Sequence, residues 1–71
     1  GHWREGASRS GYGACLTAME RFAEAEEELL KAHSILVDQV GATDIATEGA
    51  RERLVVLYDA WGKPKIADDY R

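Results

Sequence analysis

The sequence has few of the residues that small secreted and membrane-bound domains need. Its 71 residues include one cysteine, Cys15, so no disulfide can form within the chain. Small secreted domains usually depend on a disulfide framework, and we therefore expect a cytoplasmic protein. No apolar run approaches the roughly 18 residues that a membrane-spanning helix requires, so no membrane is expected as a partner.

Positive charge is also scarce. The chain has nine Lys and Arg residues and thirteen Asp and Glu residues, which gives a formal net charge of -4 at pH 7. An acidic chain has no general affinity for phosphate backbones, because these carry the same sign of charge. Nucleic acid is therefore not expected as a partner.

Catalytic motifs are missing: there is no phosphate-binding glycine loop, zinc-ligand spacing or serine-histidine-acid set. Cys15 and His33 would be the candidate nucleophile and base. A catalytic cysteine needs an adjacent base and an electropositive setting, and nothing in the sequence indicates either. We expect a buried structural thiol at Cys15 and a histidine at a helix surface or interface at His33.

An acidic run in the middle of the chain is the candidate metal site: Glu24, Glu26, Glu27 and Glu28. Helical di-iron sites pair Glu-x-x-His motifs from facing helices, and no such motif is present. The run is better explained as the solvated, negatively charged start of a helix, where the helix dipole favours acidic side chains. We predict no metal, no cofactor and no catalytic residue, and hence no enzyme.

Apolar periodicity predicts four helices and no strands, at residues 3–19, 22–40, 45–61 and 64–71. In the first helix the expected apolar stripe consists of Tyr12, Cys15, Leu16 and Met19. The second carries a long stripe from Phe22 to Val40, with Leu30 and Val37 on a second face that we also expect to be buried.

Glycine, proline and capping residues predict where these helices end. Gly41 suits the end of the second helix, and either Thr43 or Asp44 can cap the start of the third. Gly62 ends the third helix, and Pro64 fits only the first turn of a fourth. The fourth helix then has room for about two turns.

Two stretches share one skeleton of packing residues: Tyr12, Gly13, Leu16, Phe22, Ala25, Leu29 and Ala32 in the first, and Leu54, Tyr58, Gly62, Pro64 and Ala67 in the second. This skeleton resembles the tetratricopeptide repeat. The resemblance implies an all-α fold of antiparallel helical hairpins stacked as a short α-solenoid. The whole chain is then one domain, with repeat 1 at about 4–40 and an incomplete repeat 2 at about 45–71, whose last helix is truncated.

The second copy departs from the family pattern at Val55, where glycine is expected, and at Pro64, where an aromatic residue is expected. Ala25 and Ala67 are 67 - 25 = 42 positions apart, longer than the usual repeat of about 34 residues. This spacing is similar to the extended repeats of kinesin light chain and to the tails of bacterial Ser/Thr kinases that carry such repeats. The resemblance therefore allows the chain to be a fragment of a longer array.

Repeats of this family bind peptides in a groove lined by the first helix of each pair. Here the groove would present Ser10, Ala14, Thr17, Glu52, Val56 and Asp59. The basic and asparagine residues that clamp a chaperone's carboxyl terminus are absent from these positions, so binding of a chaperone tail is not expected. Glu52 and Asp59 would make the groove acidic, and an acidic groove favours a basic or apolar peptide. The alternative is an ordinary solvated helix face.

The short fourth helix is not expected to cover the aromatic residues of the third. The exposed patch would consist of Leu57, Tyr58, Trp61 and Tyr70, and it would promote self-association. Gly1 and His2 have the composition of a remnant from a cleaved tag, or they belong to the natural chain.

The sequence as a whole predicts a non-catalytic protein-protein interaction module with a protein or peptide partner. Two alternatives remain open. One is a regulatory repeat segment at the end of a larger enzyme such as a bacterial Ser/Thr kinase. The other is a structural helical protein that forms homo-oligomers.

Overall fold

The structure, a computed structural model, describes residues 2–71, with side chains from Arg4 onward. It contains four helices: α1 (His2–Ala18), α2 (Phe22–Val40), α3 (Ile45–Ala60) and α4 (Pro64–Tyr70). Each helix begins and ends within one residue of its predicted boundary, and the all-α prediction is confirmed. The side chains of Gly1 and His2, the candidate tag residues, lie outside this description.

The helix ends follow the local signals in the sequence. Gly41 closes α2 with a φ of +95°, and Gly62 follows α3 with a φ of +78°; both angles favour glycine because a Cβ would be strained there. Of the two candidate caps, Asp44 is the one used, since its carboxylate accepts the N–H of Ala46 at 2.9 Å. Pro64 occupies the first turn of α4.

α1 and α2 form an antiparallel hairpin whose seam is closed by two glycines. A Cβ atom on Gly13 would lie 2.5 Å from Cγ of Leu29, and one on Gly6 would lie 2.8 Å from Cγ of Leu36. Real Cβ atoms do not approach other carbons so closely, so only glycine fits at both positions. Gly6 and Gly13 are seven residues apart, as are Leu29 and Leu36, so two turns of α1 lie against two turns of α2.

Because α1 lies so close to α2, the face that α1 buries differs from the face that its large apolar residues predict. Tyr12, Cys15 and Met19 were predicted to face the core together with Leu16, but only Leu16 is buried. Tyr12 is 54% exposed and Met19 is 58% exposed. The prediction is wrong for these three residues, because the close contact of Gly6 and Gly13 with α2 turns the glycine face inward and leaves Tyr12, Cys15 and Met19 outside. The buried face of α1 consists, besides Leu16, of Gly6, Ser10, Gly13 and Thr17.

α2 buries one face, not two. Its core stripe is Ala25, Leu29, Ala32 and Leu36, all with no exposed surface. Leu30 and Val37 are exposed, so the predicted second buried face is wrong. No other helix among residues 2–71 covers that side of α2.

α3 packs against both α1 and α2, and α4 packs against α3. Arg51 holds the end of α4, since its Nη1 donates to the carbonyl oxygen of Tyr70 at 3.0 Å. Arg71 forms an ion pair with Asp59 of α3 at 3.0 Å. The result is a flat slab whose Cα positions extend over 33 × 22 × 14 Å.

Most residues of the predicted packing skeleton lie in the core. The buried ones are Gly13, Leu16, Ala25, Leu29, Ala32, Leu54, Tyr58 and Ala67. Phe22 is half-buried and stacks on Trp61, with 5.8 Å between ring centroids. Gly62, Pro64 and Tyr12 are exposed; Gly62 lies in the turn between α3 and α4, and Pro64 begins α4.

The close packing of α1 on α2 predicts that replacing glycine by alanine has opposite effects on stability at Gly13 and at Gly49. Gly13→Ala forces the buried Leu29 to move, and we expect it to destabilise the fold by about 1–3 kcal/mol despite alanine's better helix propensity. At Gly49 in α3 no atom lies within 4 Å of the position that a Cβ would take, so Gly49→Ala should stabilise by about 0.5–1 kcal/mol. Urea unfolding measures the free energy of unfolding of each variant. Equal stability of the two variants would contradict the close contact between Gly13 and Leu29.

Candidate functional site

α1 and α3 lie side by side and leave a shallow groove, here named the α1/α3 groove. It contains two concavities. The larger, about 310 Å³, is lined by Ala14, Thr17, Ala18, Arg53, Val56 and Ala60. The smaller, about 210 Å³, is lined by Ala7, Ser10, Ala46, Gly49 and Arg53.

Arg53 separates the two concavities, since it lines both. Its Nη1 donates to the hydroxyl oxygen of Ser10 at 2.9 Å, which ties α3 to α1. The other N–H groups of the guanidinium have no partner among the described residues. Arg53 is absent from the groove residues predicted from the sequence. The available signal was its position on one stripe of α3, seven residues from both Ala46 and Ala60, where a single charge stands among small side chains.

The predicted groove residues are divided between two surfaces. Ser10, Ala14, Thr17 and Val56 line the α1/α3 groove. Thr17 uses its hydroxyl to donate to the carbonyl of Gly13 at 2.9 Å, so it offers a methyl group to the groove.

The acidic members of that set do not reach the α1/α3 groove. Glu52 lines a different concavity, on the other side of α3. Asp59 is held by Arg71 in an ion pair. The charge in the lining of the α1/α3 groove is therefore the positive charge of Arg53, which differs from the acidic groove expected from the sequence.

A third concavity, of about 470 Å³, lies where the end of α4 meets α3, and we name it the α3/α4 cavity. Its lining consists of Arg51, Glu52, Val55, Val56, Tyr70 and Arg71. Val56 is common to this cavity and the α1/α3 groove, so it forms the ridge between them.

The predicted self-association patch is largely inside the protein. Leu57 and Tyr58 are buried, and Trp61 and Tyr70 are half-buried. The prediction that α4 is too short to cover Leu57 and Tyr58 is wrong, because α4 approaches closely at the buried Ala67. The ring of Tyr58 is stacked between its neighbours, with centroid distances of 6.4 Å to Trp61 and 5.9 Å to Tyr70.

Tyr58 also joins α3 to α2. Its hydroxyl donates to Oε2 of Glu26 at 2.8 Å. Burial, together with the hydrogen bond and the negative charge of Glu26, raises the pKa of Tyr58 well above its ordinary value, because all three disfavour a phenolate. Lys63 covers the outer aromatic ring, with Nζ 3.8 Å from the centroid of Trp61.

Cys15 and His33 occupy different environments. Cys15 is exposed, and the prediction of a buried thiol is wrong because α1 turns that side chain away from its glycine seam. His33 is half-buried, with its ring edge-on to Tyr70 at a centroid distance of 6.3 Å. The sequence predicts a histidine at a helix surface or interface, and the structure places His33 of α2 against Tyr70 of α4.

The acidic run on α2 does not converge on a common point. Each carboxylate contacts a different side chain: Glu24 contacts Arg21, Glu26 contacts Tyr58, Glu27 contacts Lys31 and Glu28 contacts Arg9. Over the described part of the chain, no group of three or more His, Cys, Asp or Glu residues has the arrangement of a metal site. Within residues 2–71, no helix combines the length and the apolarity needed to cross a membrane.

Comparison with known protein families, curated proteins and solved structures finds no match to this chain. Its function must therefore be inferred from the two surfaces described above, the α1/α3 groove and the α3/α4 cavity.

The Tyr58 hydroxyl predicts a loss of stability at alkaline pH. Its folded-state pKa is raised above the ordinary value of 10.0, so its stabilisation is present below about pH 10 and is lost as the pH rises further. We expect Tyr58→Phe to lower the free energy of unfolding by about 1 kcal/mol at neutral pH and to weaken its alkaline decline. Urea unfolding at about pH 8 and about pH 10.5 measures both effects. The exposed Tyr12→Phe variant should behave as the parent, and an equal change there would contradict the assignment.

The position of Cys15 predicts that its thiol is reactive in the folded protein. We expect Ellman's reagent to modify it at nearly the same rate with and without urea, because the folded chain gives the reagent free access. Protection by more than about tenfold in the absence of urea would show that the thiol is covered.

Proposed function

We propose that the chain is a non-catalytic protein-protein interaction module built from two stacked helical hairpins of tetratricopeptide type. The partner segment lies in the α1/α3 groove. The observation that carries the proposal is the composition of this groove, in which small side chains from both helices flank one arginine.

Small side chains give a partner backbone close access to the helices. Alanine, glycine and serine supply most of the lining, and Val56 and the methyl group of Thr17 add apolar surface. These side chains lose little conformational entropy when they are covered, because they have few or no rotatable bonds. Binding in the groove therefore costs little ordering of the protein itself.

Arg53 supplies the polar contact that orients the partner. Its bond to Ser10 fixes the guanidinium between the two concavities, while the remaining N–H groups can donate to an acceptor on the partner. The proposed ligand is thus an apolar peptide segment with a carbonyl or carboxylate oxygen opposite Arg53. The stacking of α3 on the α1/α2 hairpin holds this site in shape before the partner arrives.

Filling the groove should abolish the proposed binding without unfolding the protein. Peptides of about 12 residues would first be selected from a displayed random library against the folded chain and then measured by calorimetry. We expect Ala18→Phe and Ala60→Phe, both at exposed positions in the larger concavity, to weaken binding of these peptides by about tenfold.

Ala23→Phe is the matched control, since Ala23 is an exposed helical alanine on α2 outside the groove. It should leave peptide affinity unchanged, and thermal unfolding should show that all three variants remain folded. A selection that yields no binding peptide, or an equal loss of affinity in the Ala23→Phe variant, would reject the groove as the binding site.

A further inference from the structure

α1 carries an apolar stripe that stays open to solvent. Tyr12 is 54% exposed and Met19 is 58% exposed, and Cys15 between them is also exposed. Their spacing of three and four residues places the three side chains on one side of the helix. We name this set the outer stripe of α1. It lies on a different side of the helix from Ser10 and Ala14, which line the α1/α3 groove.

The offset of 42 positions between the two halves of the sequence also relates the outer stripe to a stripe on α3. The counterparts of its three residues, in order, are Leu54, Leu57 and Trp61. Leu54 and Leu57 have no exposed surface and belong to the core cluster that α1 and α2 help to form. Trp61 stacks on Phe22 of α2. The stripe with which α3 packs on the α1/α2 hairpin is thus repeated on α1, where it is open.

The side of α1 that receives α3 also has a counterpart. Ser10 accepts the hydrogen bond of Arg53, and Ala14 lines the larger concavity of the α1/α3 groove. The same offset leads from Ser10 to Glu52 and from Ala14 to Val56. Both counterparts are exposed, and both line the α3/α4 cavity. α3 therefore presents an open receiving side, and α1 presents an open stripe of the kind that such a side receives.

The α3/α4 cavity suits the side chain of Tyr12. Its volume of about 470 Å³ admits a phenol ring, and Val55 and the ring of Tyr70 supply apolar walls. Arg51 uses one N–H group on the carbonyl oxygen of Tyr70, and that neutral partner leaves its positive charge in place. A guanidinium in this position can donate to a phenolic oxygen or lie over the face of the ring.

The charges beside the two surfaces are also complementary. Arg4 lies 42 positions before Ala46, which lines the smaller concavity of the α1/α3 groove together with Ser10. The counterpart of Ser10 is Glu52. If one copy of the chain packs on another as α3 packs on α1, Arg4 of the first copy comes next to Glu52 of the second, and the two charges have opposite sign.

From this continuity with the packing inside the chain we infer that copies of the protein associate head to tail. The outer stripe of one copy covers the α3/α4 cavity of the next, with Tyr12 in the cavity and Arg4 beside Glu52. The two surfaces differ, so the interface is heterologous, and each complex keeps one free stripe and one free cavity to which further copies add. The inference does not rest on the proposed function of the α1/α3 groove.

Sedimentation equilibrium of the full chain from about 10 μM to about 1 mM tests for association. We expect the average mass to rise with concentration from that of one chain past that of a dimer. Cys15 reports on the stripe itself, because its counterpart Leu57 is fully buried. Ellman's reagent, which reaches the thiol in dilute protein, should modify it at least fivefold more slowly in concentrated protein.

Two variants that each remove one surface test the head-to-tail arrangement. Tyr12→Ala with Met19→Ala truncates the outer stripe, and Val56→Lys places a cation on the cavity wall opposite Arg4 of the incoming copy. All three positions are more than half exposed, so both variants should stay folded. Each variant alone should associate at least tenfold more weakly than the parent. An equal mixture should form a complex of one copy of each, because the first variant keeps its cavity and the second keeps its stripe.

Leu30→Ala with Val37→Ala is the matched control, since it truncates two exposed apolar residues of α2 that belong to neither surface. It should associate as the parent does. The inference is overturned if the parent is monomeric at about 1 mM, if the control loses association equally, or if the mixture of the two variants forms no complex. It is also wrong if Val56→Lys leaves association intact while truncation of the stripe abolishes it, because the stripe then pairs with itself.

Discussion

The structure depends on the contact of two glycines with two leucines. Because Gly6 and Gly13 accept Leu36 and Leu29 without an intervening Cβ, α1 and α2 approach more closely than ordinary side chains allow. At the points of closest approach α1 carries glycine, and the buried face that contains them includes one leucine, Leu16. Tyr12, which has no room there, points to solvent, and α1 meets α3 through alanine and serine instead. The shallow, small-residue character of the α1/α3 groove follows from this one seam.

The features that could be predicted from the sequence are those that depend on interactions between residues close together in the chain. Gly41, Asp44 and Pro64 act on the backbone within one or two residues, so the helix boundaries could be predicted to within one residue. The core stripe of α2 was equally clear, because its apolar residues recur over five turns and no competing face is as continuous. The charge in the α1/α3 groove was predicted less well: the position of Arg53 among small residues of α3 is visible in the sequence, but that this stripe faces α1 is a property of the packed helices.

The buried face of α1 could not be predicted in the same way. Tyr12, Cys15 and Met19 have the spacing of a core stripe, and hydrophobicity alone favours burying them. The competing face, with Gly6 and Gly13, offers little apolar area of its own and is favoured only when leucines from α2 fill the space above it. Apolar periodicity is a property of a single helix, whereas the face that α1 buries is decided by its packing against α2. For the same reason the thiol of Cys15 was predicted to be buried, although it is exposed.

α3 lines both the α1/α3 groove and the α3/α4 cavity, and it contacts α1, α2 and α4. The other helices use their charges largely within the chain, as in the contacts of Arg9 with Glu28 and of Arg71 with Asp59. On α3, by contrast, Arg53 donates only to Ser10, and the exposed Glu48 and Glu52 form no hydrogen bond or ion pair with the described residues. Val56 lies on the ridge between these surfaces and lines both. A partner that covers Val56 from one side removes part of the apolar area available on the other, so the two surfaces cannot be occupied with full independence.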